Sequence, residues 1–179
     1  MLRLFAALPV PFDVAEQLAP AQTGVPDARW RTDEQLHVTL RFLGEVSETV
    51  AADLDACLGQ ISGRAFEVTV AGVGSFGEGR GQRAVWAGVE ESEPLRTLAG
   101  RCESAARKAG LTPETRKYRP HVTLAYLRRT TPAHKVGDWI VRHNLLRLPP
   151  WSADRFGLYS SWQTPGGSRY ELEREYRLG

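Results

Sequence analysis

Residues 36–44 read LHVTLRFLG and residues 119–127 read RPHVTLAYL, so the tetrad His-Val-Thr-Leu occurs twice, at 37–40 and again 84 positions later at 121–124. A β-strand has a side-chain period of two. In each copy His and Thr therefore project from one face, while Val and Leu project from the other. The apolar pair belongs against a core, which leaves an imidazole and a hydroxyl on the open face. A repeat of this kind implies two related halves. Facing each other across a pseudo-twofold axis, those halves bring His37, Thr39, His121 and Thr123 around one cleft.

The rest of the chain alternates strand-like and helix-like segments around these two strands. LRLFAAL (2–8) reads as a strand ended by Pro9, with a short helix after Asp13 as N-cap. ARWR (28–31) reads as a strand before the first motif. Ser47 caps a helix from about 48 to 61, where Val50, Leu54, Leu58 and Ile61 recur at helical spacing. AFEVTVAGVGSF (65–76) alternates with period two and dissolves into the glycine-rich GSFGEGRGQ, expected to be a mobile hairpin loop rather than a nucleotide-binding turn. RAVWAGV (83–89) is a strand. Ser92-Glu93-Pro94 opens a helix closed by Gly110, and Thr131-Pro132 opens another carrying Val136, Trp139 and Ile140. SADRFGLYSS and SRYELEREYRL close the chain as two strands joined at TPGG. Neighbouring strands on short turns argue for an α+β fold with antiparallel sheets, not a parallel doubly wound one.

Composition bounds the rest. A chain of 179 residues, 42% hydrophobic and 25% charged, suits a single globular domain. No apolar run approaches the roughly 20 residues that span a bilayer, and the apolar start MLRLFAALPVPF is broken by Pro9 and Pro11. It is expected to be the first strand and not a signal peptide, in a cytoplasmic protein without a membrane role. Cys57 and Cys102 fall on apolar helix positions and are expected to be buried free thiols. Net charge is only +2, yet residues 101–129 hold eight basic residues against two acidic ones, which suits a phosphate-bearing ligand.

Paired imidazoles suit in-line displacement at phosphorus: one serves as general base on the attacking oxygen, the other as general acid on the leaving oxygen. Hydroxyls and nearby cations hold the non-bridging oxygens as charge builds. Two plainer alternatives stand beside this. Each His can be a satisfied polar residue of a half-exposed strand, or the pair can bind a metal. Against a metal, no Cys, Asp or Glu lies at ligand spacing around either copy, and no cofactor is expected.

HVTLRFLGE and RPHVTLAYL resemble the paired H-x-T-x signatures of the two-histidine phosphoesterases. RLFAALP (3–9) and the closing GLYSS (157–161) with Gly167, Tyr170 and Leu172 resemble the RNA 2′,3′-cyclic phosphodiesterase branch, also called RNA 2′-5′ ligase. The resemblance covers nearly the whole chain. It implies one catalytic domain, residues 1–179, of two similar lobes: antiparallel sheets, helices outside, a central cleft. It also implies metal-free opening of a 2′,3′-cyclic phosphate to a 2′-phosphate at an RNA end. His37 would then protonate the departing 3′ oxygen, His121 activate water, and Thr39 and Thr123 hydrogen-bond the phosphate. Joining of RNA ends through a 2′-5′ linkage is the same chemistry with a 5′-hydroxyl replacing water. Relatives often carry an Arg five residues after the second His, and here that position is Tyr126.

The phosphate-holding cation is therefore sought elsewhere. Arg128, two residues further along the strand, and Arg119, two before His121, are the candidates. Trp86, Phe76 and Trp30 are candidates for stacking on a base, with core packing the plainer alternative. His134 and His143 are expected to be surface residues without a role, and Arg116 and Lys117 either line the cleft mouth or belong to a solvated loop. The expected partner is an RNA with a 2′,3′-cyclic phosphate end, acted on by a monomer needing no protein partner. Competing readings are a cyclic phosphodiesterase of small nucleotides and a module that binds RNA ends without turnover.

Overall fold

Burial follows the two-residue alternation. Val38, Leu40, Val122 and Leu124 are at most 3% exposed, while the histidines and threonines between them are half-buried. This is seen in the computed structural model, which describes residues 1–77 and 83–179. The elements run β1 (Leu2–Pro9), α1 (Phe12–Leu18), β2 (Arg29–Trp30), β3 (His37–Val46), α2 (Glu48–Gly59), β4 (Phe66–Val68), β5 (Val70–Phe76) and β6 (Ala84–Val89). They continue with α3 (Glu93–Lys108), β7 (His121–Tyr126), α4 (Ala133–His143), β8 (Trp151–Ala153), β9 (Arg155–Thr164) and β10 (Gly167–Arg177).

The fold is α+β, as expected. The two expected sheets, however, are fused. Strands β10-β9-β1-β3 and β7-β6-β5, with β2 added on β7, form one eight-stranded antiparallel sheet, and β4 with β8 forms a separate two-stranded one. A single pair, Val38 with Val122, joins β3 to β7. These valines hold the same place in the two tetrads, so a local twofold axis passes between them. Beyond that pair β7 turns to β2, where Arg29 pairs with Tyr126 and Trp30 with Ala125.

Each motif strand carries a β-bulge at its leucine. Between β1 and β3 the register passes from Ala7–Thr39 to Ala6–Arg41, skipping Leu40. Between β6 and β7 it passes from Trp86–Thr123 to Val85–Ala125, skipping Leu124. An extra residue on one strand shifts the phase of everything after it. Leu124 and Ala125 are accordingly both buried, and Tyr126 returns to the half-buried face of His121 and Thr123.

Helices cover the valine side. Ser47 Oγ accepts from the Val50 amide and Ser92 Oγ from the Leu95 amide, both at 3.3 Å, so α2 and α3 start at the expected caps. Helix α3 buries Leu95, Leu98, Cys102, Ala105 and Ala106 in the cluster that also holds the motif valines and leucines. Arg41 of β3 pairs with Glu103 of α3, fixing the helix to the sheet. In α4, fully buried Trp139 donates its Nε1–H to Ala21 O at 2.8 Å.

Several local expectations are corrected. Helix α1 begins at Phe12 with Pro11 at its N-cap, so Asp13 lies in the first turn instead of capping it. Segment 65–76 breaks at Thr69 into β4 and β5, and the closing pair of strands is three, because Asp154 separates β8 from β9. Cys102 is buried, but Cys57 is only half-buried. Trp30 packs its ring toward Trp139, with centroids 6.3 Å apart, on the core side of β2. His134 is exposed, but His143 leans on Trp139 at 5.3 Å. Of the expected glycine-rich loop, residues 78–82 lie outside the described residues.

Candidate active site

The register puts both histidines on neighbouring strands and on one face. Extending the Val38–Val122 pairing by one step sets His37 diagonal to His121, roughly 7–8 Å apart in a regular sheet. The two are close enough that His121 contributes to the lowered proton affinity of His37.

Each imidazole is held in the same way. His37 Nδ1 lies 2.8 Å from Gln35 O, and His121 Nδ1 lies 2.7 Å from Arg119 O. A carbonyl oxygen only accepts, so Nδ1 carries hydrogen in both rings. Nε2, across the ring, is left as the atom that exchanges a proton. Gln35 is itself fixed by a capping box with Thr32, and its Nε2 donates to Ser168 O at 2.6 Å. The hydroxyls of Thr39 and Thr123 have no hydrogen-bond partner among the described residues, although both side chains are half-buried.

Aromatic rings wall both histidines. Phe5 of β1 lies 4.7 Å from His37, centroid to centroid, with Tyr159 stacked behind it, and Tyr170 of β10 meets His37 edge-on at 5.4 Å. Phe76 meets His121 edge-on at 4.8 Å and Trp86 lies 6.0 Å away. Trp86 fits there because its cross-strand partner is Gly74, where a Cβ would come within 2.4 Å of the indole. Removing water from an imidazole disfavours its cation. Burial, aided by the charges of Arg31 and His121 and resisted by the bond to Gln35, lowers His37 from 6.5 to about 4. Burial lowers His121 as well, against its bond to Arg119.

The structure brings His37, Thr39, His121, Thr123, Tyr126, Phe76 and Trp86 together. Among the described residues, neither expected arginine bonds to any of these through its side chain. Strand β7 ends at Tyr126, and Arg128 lies beyond it, exposed, its carbonyl accepting from Arg83 Nη1. The Arg119 side chain is exposed, and its carbonyl is what touches His121. Arg116 pairs with Glu114 on the surface. A cation whose charge bears on His37 is Arg31, next after β2, buried and bonded to Tyr170. Sequence reading missed Gln35, Arg31, Phe5 and Tyr170. Thr32-x-x-Gln35 was a legible capping box, whereas Arg31 and Tyr170 are 139 positions apart. Among the described residues no three His, Cys, Asp or Glu side chains converge as a metal-binding group would require.

Residues 10–163 match the family model of the 2′-5′ RNA ligase superfamily. The chain belongs to that family. An RNA 2′,3′-cyclic phosphodiesterase of Archaeoglobus fulgidus is 30% identical over 95% of this chain and 97% of its own length. The Escherichia coli protein of the same name is 31% identical over 98% and 96%. Among solved structures, Escherichia coli LigT in complex with 3′-AMP superposes with a TM-score of 0.79 at 28% identity, covering 99% of this chain and 98% of that one. A Thermus thermophilus protein reaches 0.80 at 26% identity with the same coverage.

Proposed function

We propose that this family member hydrolyses 2′,3′-cyclic phosphate ends of RNA to 2′-phosphates, by metal-independent acid–base catalysis between His37 and His121. The matching backbone clamps on the two Nδ1 atoms carry the proposal, because they leave two proton-exchanging Nε2 atoms on adjacent strands. Water attacks phosphorus in line with the P–O3′ bond, and His121 Nε2 takes its proton. His37 Nε2 gives a proton to the departing 3′ oxygen. One water is consumed, the P–O3′ bond breaks, and the product holds a 2′-phosphate and a free 3′-hydroxyl. Thr39 and Thr123 donate to the non-bridging oxygens, which suits hydroxyls otherwise without partners among the described residues. Phe76 and Trp86 offer a surface for the terminal base. When an RNA 5′-hydroxyl takes the place of water, the same displacement forms a P–O5′ bond, breaks P–O3′ and leaves a 2′-5′ linkage with a free 3′-hydroxyl.

The names of the relatives support the substrate class. The reading extends to a cytoplasmic monomer, one domain of two similar lobes, needing no protein partner. Both cysteines are free, as thiols are in a reducing compartment. No helix among the described residues is long and apolar enough to cross a membrane.

The test is hydrolysis of a short oligonucleotide 2′,3′-cyclic phosphate in EDTA. Wild type is expected to retain full rate, while His37→Ala and His121→Ala each lose about 10²–10⁴-fold in kcat, the usual worth of a positioned acid or base. Chelator-sensitive activity, or a fully active single variant, would count against the mechanism. Equal rates on mononucleotide and oligonucleotide substrates would count against RNA as the preferred ligand.

A further inference from the structure

Arg31 is 8% exposed, and its guanidinium is enclosed by tyrosines. Nη2 donates to the Tyr170 hydroxyl at 2.9 Å, and Cζ lies 5.0 Å from the Tyr126 ring centroid and 5.5 Å from that of Tyr170. Its neighbours thus come from both halves of the sheet. Tyr126 shares the His121 face of β7, and Tyr170 packs edge-on against His37.

Some other arginines of the fold pair with carboxylates, as Arg41 does with Glu103 and Arg174 with Asp55. No carboxylate among the described residues lies within ion-pair distance of Arg31. A charge withdrawn from water costs free energy unless something opposes it. Two aromatic faces offset part of that cost. A guanidinium also has five N–H donors, and its side chain uses one here. Among the described residues, the buried side-chain atoms without partners are Trp86 Nε1, Thr131 Oγ1 and His143 Nε2. The remaining Arg31 nitrogens are absent from that group, so they still reach accessible space.

We propose that Arg31 is the cation that binds the non-bridging phosphate oxygens of the substrate, presented by Tyr126 and Tyr170; the assignment rests on the phosphodiesterase reading above. It accounts for a buried charge beside His37 that has no counter-charge among the described residues. It also separates Arg31 from Arg119 and Arg128, which are solvated and need no ligand.

The experiment compares wild type, Arg31→Met and Arg31→Lys in three measurements: KM and kcat on the oligonucleotide cyclic phosphate, competitive inhibition by inorganic phosphate, and melting temperature with and without phosphate. Arg31→Met is expected to raise both KM and the phosphate inhibition constant by about 10- to 100-fold. Lysine is expected to recover part of each, and the phosphate-induced rise in melting temperature should vanish in the Met variant. Phosphate inhibition within about twofold of wild type in Arg31→Met would overturn the proposal. So would a loss that follows melting temperature and is not relieved by Lys. If Arg31→Met does not fold, Arg31→Lys against wild type decides, and an unchanged phosphate constant overturns it. An inactive wild type would sink the phosphodiesterase reading, while the phosphate-dependent melting temperature would still decide the anion site.

Discussion

His37 sits among Phe5, Tyr170 and Gln35 O, with the charges of Arg31 and His121 in reach, and its proton affinity is set by that company. The proposed mechanism needs His37 cationic and His121 neutral. With His37 lowered to about 4 and His121 below 6.5, that form of the free protein is most populated on the acid side. We expect kcat/KM to be greatest below about pH 6.5 and to fall up to about tenfold per pH unit above it. An optimum above about pH 7.5 would assign the acid to another group. Bound phosphate is anionic and stabilises the imidazolium, so the kcat profile should extend to higher pH than that of kcat/KM. In Arg31→Met the limb belonging to His37 should move upward, because the arginine charge opposes protonation. Folding shows the matching sign. The unfolded chain takes up these protons first, so stability present above about pH 6.5 is lost as pH falls toward 4. His37→Gln should flatten that loss in urea denaturation.

At the scale of elements, the bulges and close strand contacts decide what reaches the face that carries the histidines. Gly74 stands opposite Trp86, and a methyl there would sit 2.4 Å from the indole. Gly74→Ala is expected to push Trp86 toward Phe76 and His121, lowering kcat/KM about tenfold and stability by about 1–3 kcal/mol, as overpacking does. Adding Trp86→Ala should restore the melting temperature without restoring activity. Unchanged behaviour of Gly74→Ala would show that the indole moves aside freely. Gly88, opposite His121, is constrained in another way: a Cβ would meet Ala71 O at 2.6 Å. The motif strands, both serine caps and the face of α2 were legible, because period and capping are local properties. The Leu124 bulge was not. It depends on pairing with β6, a partner chosen by the fold, and it is why Tyr126 shares the face of His121. The phosphate cation was sought along the motif's own strand for the same reason, although Arg31 arrives from β2 by pairing across β7.

For the whole molecule, one sheet and one buried cluster run through both halves, and β3 and β7 meet at a single residue pair. A continuous core favours a single cooperative transition. Urea unfolding followed by tryptophan fluorescence and by far-ultraviolet circular dichroism should therefore coincide. Val38→Ala and Val122→Ala should each shift that common transition by about 2 kcal/mol. Two separated transitions would show that the halves fold independently. The Val38–Val122 axis also bears on which bond is cut. A cyclic phosphate offers its 2′ and 3′ ester oxygens almost equivalently about phosphorus, and a groove with interchangeable walls would open either one. Regioselectivity must come from whatever spoils the equivalence: a guanidinium between two phenols on one flank, an indole and a phenyl on the other. Any change that evens out those flanks should appear first as a mixture of 2′- and 3′-phosphate products, before the rate suffers.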